Sequence, residues 1–121
     1  MSALAGTTVL VVDDNPDINE MVCEALGFEG ATTIASPGLM DARTAVDDCG
    51  QLDLVVCDVQ LADGSGLDLI PSLRDRFDET AVIMISGRPL DVADLPDRVQ
   101  FLAKPFTLRE IVAAAVASVA A

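Results

Sequence analysis

The chain of 121 residues has no histidine, tryptophan or tyrosine, and Lys104 is its only lysine. The lack of histidine excludes acid–base or nucleophilic catalysis by an imidazole of this chain. Basic residues are also few: seven stand against twenty acidic ones, for a formal net charge of −13. Such a charge repels nucleic acids and anionic membranes alike, so we expect neither among the partners of this protein.

Long hydrophobic runs and paired cysteines are lacking too. No stretch approaches the roughly 18 unbroken apolar residues that indicate a membrane span. The N-terminal MSALAG lacks the basic region of a secretory signal, so we expect a cytoplasmic protein. Cys23, Cys49 and Cys57 are odd in number and show no CxxC spacing, which favours reduced thiols over a disulfide or a structural metal site.

Five short apolar runs, several rich in valine and isoleucine, alternate with segments of helical periodicity. The runs are Thr7–Val12, Ala31–Ala35, Leu52–Cys57, Ala81–Ile85 and Val99–Ala103. Runs of this type are typical of strands buried on both faces of a parallel sheet. The chain length fits one domain, and the alternation predicts a single doubly wound α/β fold with helices on both faces of a five-stranded parallel sheet.

Capping residues predict where the helices begin. Asn15-Pro16 indicates the start of the first helix, and Ser36-Pro37 the start of the second. The third helix is expected after the DGSG stretch at 63–66, delayed or kinked by Pro71. Thr107 with Glu110 forms the capping box of the last helix.

Polar residues stand where the predicted strands end. Asp13 and Asp14 follow the first strand, Asp58 the third, Ser86 the fourth and Lys104 the fifth. Because carboxyl ends of parallel strands share one edge of the sheet, we expect these side chains to lie together. Three carboxylates beside one ammonium become tolerable when a divalent hard cation binds, which predicts a magnesium site.

These residues, together with Asp58 followed after five positions by Gly-Ser-Gly and with the Lys104-Pro105 pair, resemble the receiver domains of two-component response regulators. The resemblance covers essentially the whole chain and implies a flavodoxin-like sheet with strand order 2-1-3-4-5. It also implies that Asp58 is the phosphoacceptor, which takes a phosphoryl group from a phosphohistidine of a histidine kinase or histidine phosphotransfer protein.

The resemblance assigns a metal site as well. By it, Asp14 binds Mg²⁺ directly and Asp13 mostly through water, while Asp58 and the backbone carbonyl of Gln60 complete the protein ligands. Lys104 is then expected to pair with one phosphoryl oxygen of the modified acceptor.

Ser86 and Phe101 are the switch residues that the resemblance implies. Ser86 would donate its hydroxyl to a phosphoryl oxygen, and Phe101 would move inward on activation. A strand residue packed in the core is an equally good interpretation of Phe101. Gln60 and Arg88 flank the site at positions that influence how long the phosphoryl group survives.

The segment from Gly87 to Arg98 leaves little room for a crossover helix. Pro89 and Pro96 bracket it, so the fourth helix is expected to be short or irregular, within Leu90 to Leu95. Because one to two turns are too short to be stable by propensity, we hypothesise that phosphorylation orders or moves this segment.

Three functions remain after these arguments. The first is a phosphoacceptor signalling domain that is not an enzyme, spans residues 1–121 with no output domain, and acts on a downstream protein as a monomer or weak dimer. It would be a stand-alone regulator, a phosphorelay shuttle, or the receiver part of a longer protein such as a hybrid kinase. The second is a degenerate receiver that binds partners without phosphorylation. An aspartate-nucleophile phosphatase is third and is disfavoured, because it needs an aspartate at position 60, where the chain has Gln60.

Overall fold

A five-stranded parallel sheet forms the centre of the protein. The structure is a computed structural model that describes residues 2–89 and 95–120. The sheet strands are β1 (Thr8–Val12), β2 (Thr32–Ser36), β3 (Leu54–Asp58), β6 (Ala81–Ser86) and β7 (Val99–Ala103). Their order is β2-β1-β3-β6-β7, which confirms the predicted doubly wound arrangement. Between β3 and β6 lies a short antiparallel hairpin of β4 (Gln60–Leu61) and β5 (Gly64–Ser65).

Within the described residues, three helices connect strands and a fourth follows β7. They are α1 (Pro16–Phe28), α2 (Leu39–Asp48), α3 (Leu69–Arg76) and α4 (Leu108–Ala120), and a 3₁₀ turn (Gly66–Asp68) precedes α3. The short fourth helix expected within Leu90 to Leu95 falls mainly on residues 90–94, which lie outside the described part of the chain. That expectation stays a prediction.

Two predicted caps are confirmed. The Asn15 side chain accepts hydrogen bonds from the backbone N–H groups of Asp17 (3.0 Å) and Ile18 (3.3 Å) at the start of α1. At α4, the Glu110 carboxylate accepts from the Thr107 N–H (2.9 Å), and the Thr107 hydroxyl accepts from the Glu110 N–H (3.1 Å). These side chains satisfy amides that have no partner within the helix.

Some predicted boundaries were wrong by a few residues. Helix α2 begins at Leu39, because Ser36 is the last residue of β2 and pairs with Val12. Strand β3 begins at Leu54 rather than Leu52, and the Asp53 carboxylate accepts the Thr8 N–H at 2.8 Å just before it. Pro71 lies in the first turn of α3, where a missing N–H costs no helical hydrogen bond.

The core lies in two layers because side chains alternate between the two faces of the sheet. One face packs against α2 and α3, the other against α1 and α4. On the first face Leu10, Val55 and Met84 are fully buried, and on the second Val9, Val56 and Ile83. Of the helices described, none has both the length and the apolar content that a bilayer crossing requires.

Candidate phosphoacceptor and metal site

Three aspartates meet at the carboxyl ends of β1 and β3. Each of Asp13, Asp14 and Asp58 offers one carboxylate oxygen, and these oxygens lie within 4.8 Å of one another. Asp13 and Asp58 are each 5% exposed, while Asp14 is exposed to solvent. The three aspartates that we expected to lie together at the carboxyl ends of the strands are therefore close to one another.

Both oxygens of Asp58 have hydrogen-bond donors. Oδ1 accepts from the backbone N–H of Gln60 at 3.0 Å. Oδ2 accepts from Nζ of Lys104 at 2.5 Å, and the two groups form an ion pair. The Asp58 carboxylate is thus held in one orientation by the hairpin on one side and, on the other, by the lysine that follows β7.

Burial and the neighbouring charges together shift the pKa values of Asp13 and Lys104. Burial raises the pKa of Asp13 above its usual value, although the Asn15 N–H and the Lys104 charge oppose this. For Lys104, burial alone would lower the pKa, but its hydrogen bond to Asp58 and the three carboxylates outweigh burial and raise it. Lys104 is therefore a permanent cation at neutral pH, and one cation faces three carboxylates.

The donor set fits a hard divalent cation. The three carboxylates and the neighbouring Gln60 backbone supply only oxygen, the ligand type that Mg²⁺ prefers. Asp13 and Asp58 are buried next to each other, and the single charge of Lys104 cannot balance two carboxylates. A divalent cation would balance the remaining negative charge.

Ser86 ends β6 beside the acidic cluster. It is 2% exposed, and its hydroxyl oxygen accepts the Arg88 N–H at 3.0 Å. Its carbonyl accepts the Lys104 N–H at 2.9 Å, just before the Lys104-Pro105 bond, which is cis. When the Gln60 side-chain amide is oriented so that both its oxygen and its nitrogen have partners, the oxygen accepts hydrogen bonds from Nε (3.0 Å) and Nη1 (3.3 Å) of Arg88.

Phe101 lies in β7 opposite Met84 of β6 and is partly buried. Paired residues of parallel strands point to the same face, so Phe101 lies on the side of the sheet that packs against α2 and α3. An inward movement on activation stays a prediction.

Gly66 approaches the end of β3 too closely for any other residue. Its N–H donates to the Val59 carbonyl at 2.8 Å. A Cβ at this position would lie 2.1 Å from the Asp58 carbonyl oxygen and 2.7 Å from the Cys57 sulfur. The second glycine of the Gly-Ser-Gly stretch therefore serves close packing. The first, Gly64, has the positive φ of 149° expected of a turn glycine.

Sequence reasoning missed Asn19, a buried amide beneath the acidic pair. Its Nδ2 lies within hydrogen-bond distance of three backbone carbonyls, those of Val11 (3.2 Å), Asp13 (3.2 Å) and Ser36 (3.0 Å). It thereby fixes the chain at Asp13 against the end of β2. The sequence signal that could have indicated its burial was its helical spacing from Val22 and Leu26, the other buried residues of α1.

Sequence reasoning also missed Asp63, at the tip of the β4–β5 hairpin. Its two carboxylate oxygens accept the N–H groups of Leu39 (2.8 Å) and Met40 (3.0 Å), which open α2. The residue at the N-cap position of α2, Gly38, has no side chain to do this. Nothing local in the sequence marks a cap that comes from another segment.

An apolar cleft of about 540 Å³ adjoins Lys104. Residues of α1 and of the β7–α4 connection line it, among them Ile18, Met21, Phe106 and Leu108. Met21 is 49% exposed and Leu108 is 42% exposed, so apolar surface continues out of the cleft. This surface lies next to Lys104, which contacts the Asp58 carboxylate.

Comparison with known proteins assigns the chain to a family. Residues 9–116 match the family model of the response regulator receiver domain, and the chain belongs to that family. The probable transcriptional regulatory protein TcrX of Mycobacterium tuberculosis is 34% identical over 113 residues, which are 87% of this chain and 46% of that protein. The response regulator protein PilR of Pseudomonas aeruginosa is 37% identical over 113 residues, 88% of this chain and 25% of that protein. The chain thus spans less than half the length of these two relatives.

Solved structures support the fold. A response regulator receiver protein from Sinorhizobium medicae has a TM-score of 0.86 at 24% identity, covering 99% of this chain and 98% of its own. At this identity, the likeness supports the flavodoxin-like architecture alone.

Proposed function

We propose that this protein is a phosphoacceptor that takes a phosphoryl group from a phosphohistidine onto Asp58 and thereby changes its contacts with other proteins. The observation that carries the proposal is the convergence of Asp13, Asp14 and Lys104 on the Asp58 carboxylate, at 2.5 Å in the case of Lys104. A capping or purely structural role of Asp58 would not need two further carboxylates beside it.

In the proposed reaction, a carboxylate oxygen of Asp58 attacks the phosphorus atom of a phosphohistidine. A P–O bond forms and the P–N bond breaks, and the imidazole of the donor leaves with the electrons of that bond. These 121 residues cannot supply the phosphohistidine themselves, because they include no histidine. A histidine kinase or a histidine phosphotransfer protein has the required chemistry.

Positioning and charge account for the roles of the other residues. Lys104 already contacts Oδ2 of Asp58, so its charge is in place for an oxygen of the incoming phosphoryl group. Ser86 has a hydroxyl whose oxygen accepts the Arg88 N–H, which leaves its own hydrogen for a phosphoryl oxygen.

Asp13, Asp14, Asp58 and the backbone carbonyl of Gln60 would hold a magnesium ion. When bound, the ion supplies the positive charge that lets an anionic phosphoryl group approach three carboxylates. The four positions share oxygen chemistry, and Asp58 and Gln60 are already joined by a hydrogen bond of 3.0 Å.

The apolar cleft beside Lys104 is the surface that we assign to the phosphodonor. A donor protein must bring its phosphohistidine to Asp58, and the exposed Met21 and Leu108 lie on that approach.

The proposed output is a contact with a downstream protein, with the chain acting alone, in a phosphorelay, or as the receiver part of a longer protein. The free thiols of the three cysteines fit the reducing cytoplasm, which we propose as its location.

The test is phosphorylation by acetyl phosphate with and without Mg²⁺, followed by intact mass spectrometry. We expect one added phosphoryl group on the wild type with Mg²⁺ and none on Asp58→Asn. The control is Asp47→Asn, which removes an exposed carboxylate on α2 and should leave labelling unchanged. Circular dichroism shows whether each variant is folded. Labelling of Asp58→Asn equal to that of the wild type would refute the assignment of the acceptor, and no labelling of the folded wild type would favour a degenerate receiver.

A further inference from the structure

The hairpin that follows the acceptor is attached to α2 through one side chain, Asp63. Residues Gln60–Leu61 and Gly64–Ser65 pair as antiparallel strands, so Asp63 lies at the tip. Its carboxylate spans the first two amides of α2, at 2.8 Å from the Leu39 nitrogen and 3.0 Å from that of Met40. The tip of the hairpin and the start of α2 are therefore one hydrogen-bonded unit.

The glycine at the start of α2 is explained by this attachment. Gly38 is in extended conformation (φ −164°), which any residue adopts, yet a Cβ there would lie 2.9 Å from Oδ1 of Asp63. A serine or aspartate at position 38 could cap the helix locally, but its Cβ would push the Asp63 carboxylate away from its present place. The fold thus uses a cap from 24 residues away in place of a local one.

The same hairpin carries atoms of the acceptor site. The Gln60 N–H holds Oδ1 of Asp58 at 3.0 Å, and the Gln60 carbonyl is a proposed metal ligand. Leu61 packs against the core layer of α2 and α3, and a Cβ on Gly64 would lie 2.9 Å from Cδ2 of Leu39. A shift of the hairpin away from α2 would therefore move Gln60 relative to the aspartates.

We infer that Asp63 is a positioning residue, which fixes the Gln60 backbone against the acidic cluster by anchoring the hairpin to α2 and so sets the affinity for the divalent cation. This inference depends on the proposed function. The hydrogen bonds from Leu39 and Met40 also lower the pKa of Asp63, which keeps the anchoring carboxylate charged at neutral pH.

Two variants separate positioning from simple helix capping. Asp63→Ala removes both the cap and the anchor. Asp63→Ala combined with Gly38→Ser removes the anchor but supplies a local cap, because the carboxylate that would collide with a side chain at position 38 is gone. Magnesium affinity is measured by calorimetric titration, and thermal stability by circular dichroism, at a temperature where each variant is fully folded.

Loss of the cap in Asp63→Ala should lower Tm by a few degrees, and the serine should recover most of this. Loss of the anchor should weaken magnesium binding about tenfold in both variants, as is typical when a residue that orients a ligand is removed. An affinity of the double variant within about twofold of the wild type would overturn the inference, because capping alone would then explain the role of Asp63.

A further comparison separates this inference from the proposed function. Wild type that binds no magnesium would overturn both. Wild type that binds magnesium, with binding abolished by Asp14→Ala but unchanged in both Asp63 variants, would overturn only the role of Asp63.

Discussion

Replacement of Gly66 by alanine should be one of the most destabilising small changes in this protein. The added Cβ would lie 2.1 Å from the Asp58 carbonyl oxygen, whereas carbon and oxygen atoms normally approach to about 3.3 Å. The overlap is about 1 Å, and the atom that it meets belongs to the backbone and cannot rotate away. Either the 3₁₀ turn (Gly66–Asp68) or the end of β3 must therefore move.

We expect Gly66→Ala to lower the free energy of unfolding by about 3 kcal/mol, at the upper end of the cost of overpacking. For a domain of this size this corresponds to a decrease in Tm of about 10 °C. Since the chain has no tryptophan or tyrosine, far-UV circular dichroism is the suitable probe for thermal and urea unfolding.

Gly27→Ala is the matched control. Gly27 lies inside α1, and a Cβ there meets no atom within 4 Å. Alanine in a helix is favoured over glycine by about 0.5 to 1 kcal/mol, so this variant should be slightly more stable than the wild type. A Tm of Gly66→Ala within about 2 °C of the wild type would refute the close approach to Asp58 as the reason for glycine.

Three further predictions concern the site and its supports. Millimolar Mg²⁺ should raise the Tm of the wild type by mass action but not that of Asp14→Ala in calorimetric scans, and a wild-type Tm indifferent to Mg²⁺ would contradict the metal site. Asn19→Leu removes the side-chain donor that three buried carbonyls share, so urea unfolding should show a loss of about 2 kcal/mol, and a stability equal to wild type would argue against this role. Because the pKa of Asp63 is lowered on folding, its stabilising effect is present above the ordinary aspartate pKa and is lost as pH falls through the lower folded value. The difference in Tm between wild type and Asp63→Ala should therefore shrink below about pH 4, and a difference that is the same at pH 7 and pH 3 would contradict it.

The sheet and the residues at its edge could be predicted because their signals are local. Apolar runs mark the strands, and the alternation with helices implies parallel pairing. Asn15 and Thr107 cap helices within their own segments, as predicted. The placement of Asp13, Asp14, Asp58, Ser86 and Lys104 followed from one rule, that the carboxyl ends of parallel strands share an edge.

The supports of the site could not be predicted, because each depends on a contact between distant segments. Asn19 reads as an ordinary polar residue until the Ser36 carbonyl lies against it at 3.0 Å. Asp63 reads as a turn residue until the start of α2 is known. Glycine is needed at position 66 because the Asp58 carbonyl lies so close. The hydrophobic periodicity of the sequence does not indicate this contact. The observed strand ends differ from the predicted ones by one or two residues for the same reason. A strand ends where the neighbouring strand stops offering hydrogen-bond partners, and that neighbour comes from another segment of the chain.

The order of the strands supports Asp58 and Lys104 unequally. Asp58 ends β3, which is hydrogen-bonded to β1 on one side and to β6 on the other. Lys104 follows β7, which is last in the strand order and pairs with β6. The strand that ends at Asp58 is therefore hydrogen-bonded on both sides, whereas the strand before Lys104 pairs with β6. We therefore expect a change in the distance between them to displace Lys104 and the end of β7 more readily than Asp58, because β3 has a paired strand on each side.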